Sequence, residues 1–278
     1  MRSLALLAVC LLSMVGAAPS ARAGVLIAVS SGRGLYEIDP ATGVSHRIGT
    51  VSDNVHTPSA LAYDRATGTV YLASSGLDDS LYTLNVATGE ATLVGSFGSA
   101  SFTMHGLEFA DANRTLYGGD QGTLYRLNTT TGAATPVGPS AGPGFLRLGY
   151  NSHSDTMYAI YGNVLHTQDL HTGVRTPIGP LAGPTMPAAL AYHTANGKMY
   201  LHDNIQDALY TVNLSTGAAT LVGPTIQGEN LLGLAYIPAP GPTIVLGAGA
   251  AAWFRRTTRP SRGPITSRPP RSSAPVGS

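Results

Sequence analysis

At 278 residues, with 11% charged side chains, 34 glycines and one cysteine, the chain has the composition of many short strands joined by tight turns rather than of amphipathic helices. All 15 acidic residues fall between Glu37 and Glu229, and the body from 24 to 237 holds 8 of the 16 basic ones, so it carries a net charge of about −7 with neutral histidines. That balance excludes a nucleic-acid binder, which needs a basic face.

The chain opens with Arg2, an apolar run from Leu4 to Val15 and the small residues Ala21-Arg22-Ala23. This order predicts a secretory signal over 1–23, cleaved after Ala23, and the run is too short for a membrane span. Cys10 lies inside this leader, so the mature chain enters an oxidising compartment with no disulfide to brace it.

From Leu35 to Gly223 one phrase recurs five times: a Leu-Tyr-like pair, a short polar stretch, Thr-Gly, and a closing apolar-Gly step. The glycine of the Thr-Gly pair stands at Gly43, Gly89, Gly132, Gly173 and Gly217, giving spacings of 46, 43, 41 and 44 residues. A period near 40 with no helical pattern inside it is the signature of a propeller blade. The second repeat shows four strand-like runs, Ser59 to Tyr63, Thr69 to Leu72, Leu81 to Leu84 and Ala91 to Val94. Large apolar residues alternate in them with small or polar ones, as in strands with one buried face. The turns between begin with Asp64 or Asn85 and end with Gly68 or Gly89, residues suited to closing a hairpin.

The first repeat starts at Val25 without an innermost run. The missing run stands at the far end as Leu232-Gly233-Leu234-Ala235-Tyr236. The predicted fold is therefore an all-β, five-bladed β-propeller over 24–237, closed by its C-terminal strand. Beyond it come Pro238-Ala239-Pro240-Gly241, an apolar run from Pro242 to Phe254, and Arg255-Arg256; from Thr257 to the end, Arg, Pro and Ser dominate, a composition that predicts a disordered basic tail over 257–278.

The pair LYTLNVATGEATLVG and LYTVNLSTGAATLVG resembles the propeller repeats of bacterial secreted proteins of the PEP-CTERM class, a likeness that spans about Val25 to Ile237. The segment 238–256 is similar to the sorting tail of that class, with Ala239 where the class usually carries Glu. The resemblance implies export to the cell surface, transient membrane attachment through the tail before processing, and an extracellular glycan or envelope protein as partner.

Function in a propeller belongs on the loops leading into the innermost strands and on the hairpins between second and third strands. Those loops hold Asp78, Asp79, His105, Asp120, Arg147, His202, Asp203 and Asp207, the candidate ligand-binding face, together with His56, Gln121, Asn163 and Glu229. Arg147 could grip a carboxylate or a sugar acid bidentately. No cofactor is expected, although His202-Asp203-Asn204 with Asp207 could ligate calcium through carboxylate and amide oxygens; no calcium-loop spacing is present. No catalytic motif appears, so a binding or structural module leads. The alternative is an extracytoplasmic hydrolase, a glycosidase or lactonase, using loop carboxylates such as Asp79 and Asp203 or calcium.

Overall fold

The computed structural model describes residues 24–98, 102–140 and 142–239. The predicted leader and nearly all of the predicted tail lie outside them. The described residues form twenty strands and no helix. In chain order these are β1 (Val25–Ser30), β2 (Gly34–Ile38) and β3 (Ser45–Thr50); then β4 (Pro58–Asp64), β5 (Thr69–Ser74), β6 (Ser80–Leu84) and β7 (Ala91–Ser96). The third group is β8 (Gly106–Ala110), β9 (Thr115–Asp120), β10 (Thr123–Leu127) and β11 (Ala134–Val137). The fourth is β12 (Arg147–Asn151), β13 (Thr156–Tyr161), β14 (Val164–Gln168) and β15 (Arg175–Pro180). The last comprises β16 (Pro187–His193), β17 (Lys198–Asp203), β18 (Ala208–Val212), β19 (Ala219–Pro224) and β20 (Leu231–Ile237).

These strands assemble into five antiparallel four-stranded sheets, one for each repeat. Blade one is built from both ends of the body in the order β20-β1-β2-β3, with Leu26 opposite Tyr236 and Ala28 opposite Leu234. The innermost strands of the five blades are therefore β20, β4, β8, β12 and β16. Each lies beside the next, and β20 lies between β16 and β4.

The Thr-Gly turn that makes the repeat visible also joins the blades. In every blade an Asp or Asn side chain accepts the N–H two residues on, from Asp39 with Ala41 (2.8 Å) to Asn213 with Ser215 (2.9 Å), and the glycine N–H returns to the carbonyl of the same Asx residue. Gly132 adopts φ of +78° there, and a Cβ on it would collide with the carbonyl of Gly95 in the preceding blade. Gly95 in turn would collide with the carbonyl of Thr131. The two glycine steps of the repeat thus face each other across a seam, where backbone meets backbone and no side chain fits. The same reciprocal contact joins Gly43 of blade one to Gly223 of blade five, so the outer rim is continuous around the ring.

Five apolar clusters fill the five seams between blades. Leu61 and Leu72 of blade two pack with Val29 and Leu35 of blade one, and Met157 and Leu148 of blade four pack with Tyr117 and Leu124 of blade three. Each fully buried side chain of this size contributes roughly 2 kcal/mol. The recurring tyrosines serve this packing: Tyr36, Tyr117 and Tyr200 are buried, and Tyr82 sends its hydroxyl outward to the Asn54 carbonyl (3.0 Å) and the Asp78 carboxylate (2.9 Å).

Candidate functional site

Strand register places equivalent residues of the five inner strands at one height. Gly233, Ala60, Gly106 and Ala189 stand opposite Val29, Ala73, Gly119 and His202 of their second strands. In blade four the corresponding residue, opposite Ile160, is Arg147. Small residues suit this height because the strands converge toward the axis, and Arg147 alone of the five breaks the rule. The next residue in each strand is leucine: Leu234, Leu61, Leu107, Leu148 and Leu190 surround the axis and leave a central cavity of only about 10 Å³. That is room for about one water, so the ring has no through-channel at this height.

Arg147 is 4% exposed. Its Nε donates to the Ala188 carbonyl (2.6 Å), its guanidinium lies 4.8 Å from the centre of the Phe145 ring, and Nη1 has no hydrogen-bond partner. Two ion pairs, Arg65 with Asp111 and Arg114 with Asp64, lie elsewhere. Burial brings the Arg147 pKa down to about 10, so the side chain remains charged at neutral pH. Among the described residues it is a desolvated cation with no anion beside it, an arrangement that costs stability.

Next to it, His105 donates from Nδ1 to the carbonyl of Thr103; a carbonyl only accepts, so Nδ1 carries the proton and Nε2 the lone pair. Its ring lies 4.3 Å from that of Phe145. Burial first and the Arg147 charge second push its pKa down to about 4, which keeps the imidazole neutral. Phe145 itself is 52% exposed, an aromatic ring held half in water between the neutral imidazole, the guanidinium and the surface. The loop carrying it is pinned by the Tyr161 hydroxyl, which donates to the Pro143 carbonyl (2.9 Å).

Arg147 and Phe145 border a pocket of about 330 Å³ at the seam of blades four and five, whereas His105 lines the small central cavity. Phe145, Ile160, Met186 and Pro187 supply apolar walls, Asn163 and Thr185 the polar ones, and Arg147 the charge. No lining residue is acidic.

The predicted acids have other work. Asp203 is fully buried and accepts from the backbone N–H groups of Thr185, Met186, Ile205 and Gln206 at 2.6 to 3.0 Å. Asp120 accepts from Thr103 N (3.0 Å) and Asp79 from Gly76 N (3.0 Å) and Phe102 N (3.1 Å). Asp78 accepts from Ser74 Oγ (2.6 Å), and Asp207 from Gly228 N (3.0 Å). Three of them, Asp79, Asp120 and Asp203, bind the segment that leads into an inner strand to a neighbouring hairpin. His202 is buried beside Thr225 (Nε2 to Oγ1 2.9 Å), and burial pushes its pKa down to about 4. Among the described residues, no group of three or more His, Cys, Asp or Glu side chains is placed to hold a metal ion. Of the eight predicted residues, then, His105 and Arg147 come together, and the acids are spread along the loops that they hold.

Sequence reasoning missed Phe145, Ile160, Met186 and Pro187, which no polar-residue search would select. It also missed Glu108, on the other side of the leucine layer. Glu108 takes a height at which Ala62, Gly149, Ala191 and Ala235 stand in the other blades. Its carboxylate accepts from Phe109 N (3.1 Å) and Tyr150 N (3.2 Å), and burial pushes its pKa up to about 7. Aligning the inner runs residue by residue would have exposed both departures.

Fold and geometry together define a five-bladed β-propeller with a cation-based pocket at one blade seam. No protein-family model matches the chain, and no curated protein matches it. Among solved structures it is similar to a chain of a nidogen/laminin complex, at 12% identity and a TM-score of 0.51, covering 76% of this chain and 84% of that one. Fainter similarity extends to an auxiliary nutrient binding protein of Bacteroides thetaiotaomicron (14% identity, TM-score 0.48, 77% and 64% coverage) and to virginiamycin B lyase of Staphylococcus aureus (11% identity, TM-score 0.46, 72% and 69% coverage). At these identities the likeness is one of fold alone.

Proposed function

We propose that this chain is an exported or surface-attached binding module of PEP-CTERM type, whose pocket over Arg147 takes an anionic group of an extracellular glycan or envelope partner. The observation that carries the reading is the buried, ion-pair-free guanidinium at a height where the other four blades carry Gly or Ala. A structural role calls for no charge there. A ligand that brings its own carboxylate would complete the pair inside a low-dielectric pocket, and a guanidinium matches a carboxylate in plane and spacing. The leader over 1–23 and the sorting segment over 238–256 would bring the module to the envelope, with membrane attachment through the tail before processing. Binding rather than hydrolysis is favoured because the acids on this face are engaged with loop backbone and the pocket lining contains none.

Calorimetry with alginate, a polyuronate, against neutral dextran tests this. Alginate should bind with an affinity that falls as salt rises, remain uncut, and lose its affinity to Arg147→Met. Equal binding of dextran, or cleavage of the polymer, would overturn the proposal.

A further inference from the structure

Resting on that reading, we propose that the group admitted to the pocket is a terminal one: a carboxylate carried on a six-membered ring with an apolar face, seated against Phe145. Three observations converge on it. First, about 330 Å³ is the lower end of ligand-sized pockets, enough for one ring and its carboxylate. Second, the pocket does not lead into the ring axis. Leu148, directly after Arg147, belongs to the leucine layer, and the axis behind it holds only about 10 Å³. A polymer cannot thread past Arg147 into the ring, so a chain end or a free acid that points inward fits better than an internal unit with chain on both sides.

Third, the lining recognises shape more than hydroxyl groups. Its polar members are partly committed: Asn163 Nδ2 donates to the Pro184 carbonyl (3.1 Å), and the Thr185 N–H and hydroxyl go to Asp203. What remains is one guanidinium and the Asn163 amide oxygen, with Phe145 half exposed over the guanidinium and Ile160, Met186 and Pro187 as walls. Nη1 is covered by its neighbours, so a carboxylate reaches it as the Phe145 ring turns from the guanidinium to the face of the incoming ring. Phe145 is thereby the residue that selects ring-bearing acids, and Arg147 the residue that holds the charge. A sugar acid, whose axial C–H groups make one apolar face, and an aromatic acid share this chemistry.

The test is calorimetry on the full chain with acetate, cyclohexanecarboxylate, benzoate, benzamide, and two trisaccharides with glucuronate either at the non-reducing end or only in the middle. Ring carboxylates should bind at least tenfold tighter than acetate, benzamide should not bind, and the terminal glucuronate should exceed the internal one at least tenfold. Phe145→Ala should abolish the ring preference, bringing the ring acids to within twofold of acetate; this side chain is half exposed, so the variant retains the fold, which its melting temperature checks. The tighter of terminal glucuronate and benzoate identifies the source of the ring. Equal binding of internal and terminal glucuronate, or an unchanged ring preference in Phe145→Ala, would overturn the inference and leave the anion pocket standing. If no carboxylate of any shape binds, the pocket reading fails with it.

Discussion

Arg147 and Glu108 invite comparison, because each places a charged group in an inner strand where the other blades carry Ala or Gly, on opposite sides of one leucine layer. Glu108 is closed in and met by two backbone N–H groups; burial lifts its pKa to about 7 so that it can be neutral. Arg147 cannot escape its charge in this way at physiological pH, keeps Nη1 unpartnered and borders a pocket. A buried ionisable group thus signals a ligand only where it borders a pocket and lacks an internal means of satisfaction.

Both positions depend on a complete ring, so the most drastic way to break the comparison is to remove β20. A chain ending at Glu229 loses the inner strand of blade one and bares β1 and its apolar seams. It should show no cooperative melting transition in circular dichroism, and a melting temperature equal to that of the full chain would refute the role of this strand.

The Glu108 side of the comparison is sharpened by pH. Its folded pKa of about 7 lies above the ordinary 4.5, so its contribution is fully present below pH 4.5 and is lost as pH rises through 7. Glu108→Gln, a mimic of the protonated acid, should match the parent near pH 4.5 and exceed it by at most about 3 kcal/mol at pH 8 in urea unfolding. His105 and His202 act in the opposite sense. Their folded values of about 4 lie below the ordinary 6.5, so their contribution is present above 6.5 and lost as pH falls through 4. In Glu108→Gln the stability of the chain should therefore rise from pH 4 to 6.5 without the counter-slope. A gap between parent and variant that does not widen with pH would sink this assignment.

The predicted acids separate holding from binding. Asp79→Ala strips the acceptor from two loop N–H groups and should cost about 2 kcal/mol in the same unfolding assay. Benzoate affinity should stay within twofold of the parent, and a tenfold loss would return Asp79 to the site.

For Arg147 the expected signs are reversed. Arg147→Ala restores the residue type of the other blades and removes an uncompensated buried cation, so binding should vanish and stability rise by about 1 kcal/mol. In a domain of this size that is a melting temperature about 2–4 °C higher. A destabilised variant would mean that the guanidinium supports the fold. The smallest effect is reserved for calcium: with the loop carboxylates engaged by N–H groups, millimolar calcium should move the melting temperature by less than about 1 °C, whereas ligation at a hundredfold excess over Kd would add about 2.7 kcal/mol.

Much of the fold is legible in the amino-acid order alone. The strands of blade two follow the predicted runs and extend them by one or two residues, because apolar alternation and Asx-Gly turns are local properties of the chain. The pairing of the far Leu-Gly-Leu-Ala-Tyr run with Val25 was legible too, since the first repeat lacked one strand and the last had one to spare. The site was legible only in part. His105 and Arg147 could be named as polar residues near the axis, yet nothing in their spacing told that Phe145 lies between them or that Asp203 is spent on four backbone donors.

What the amino-acid order settled by itself was the count and kind of units: period, alternation and turn chemistry act within a few tens of residues and need no knowledge of what lies across the ring. What only tertiary structure decided was which of many polar groups is left wanting a partner. Partners arrive from segments 17 to 42 positions away, as Thr103 does for Asp120, Ala188 for Arg147 and Tyr150 for Glu108. Satisfaction of a charge depends on every neighbour that folding brings within about 3 Å of it, and that neighbourhood is written in the packing of blades, not in the run of letters.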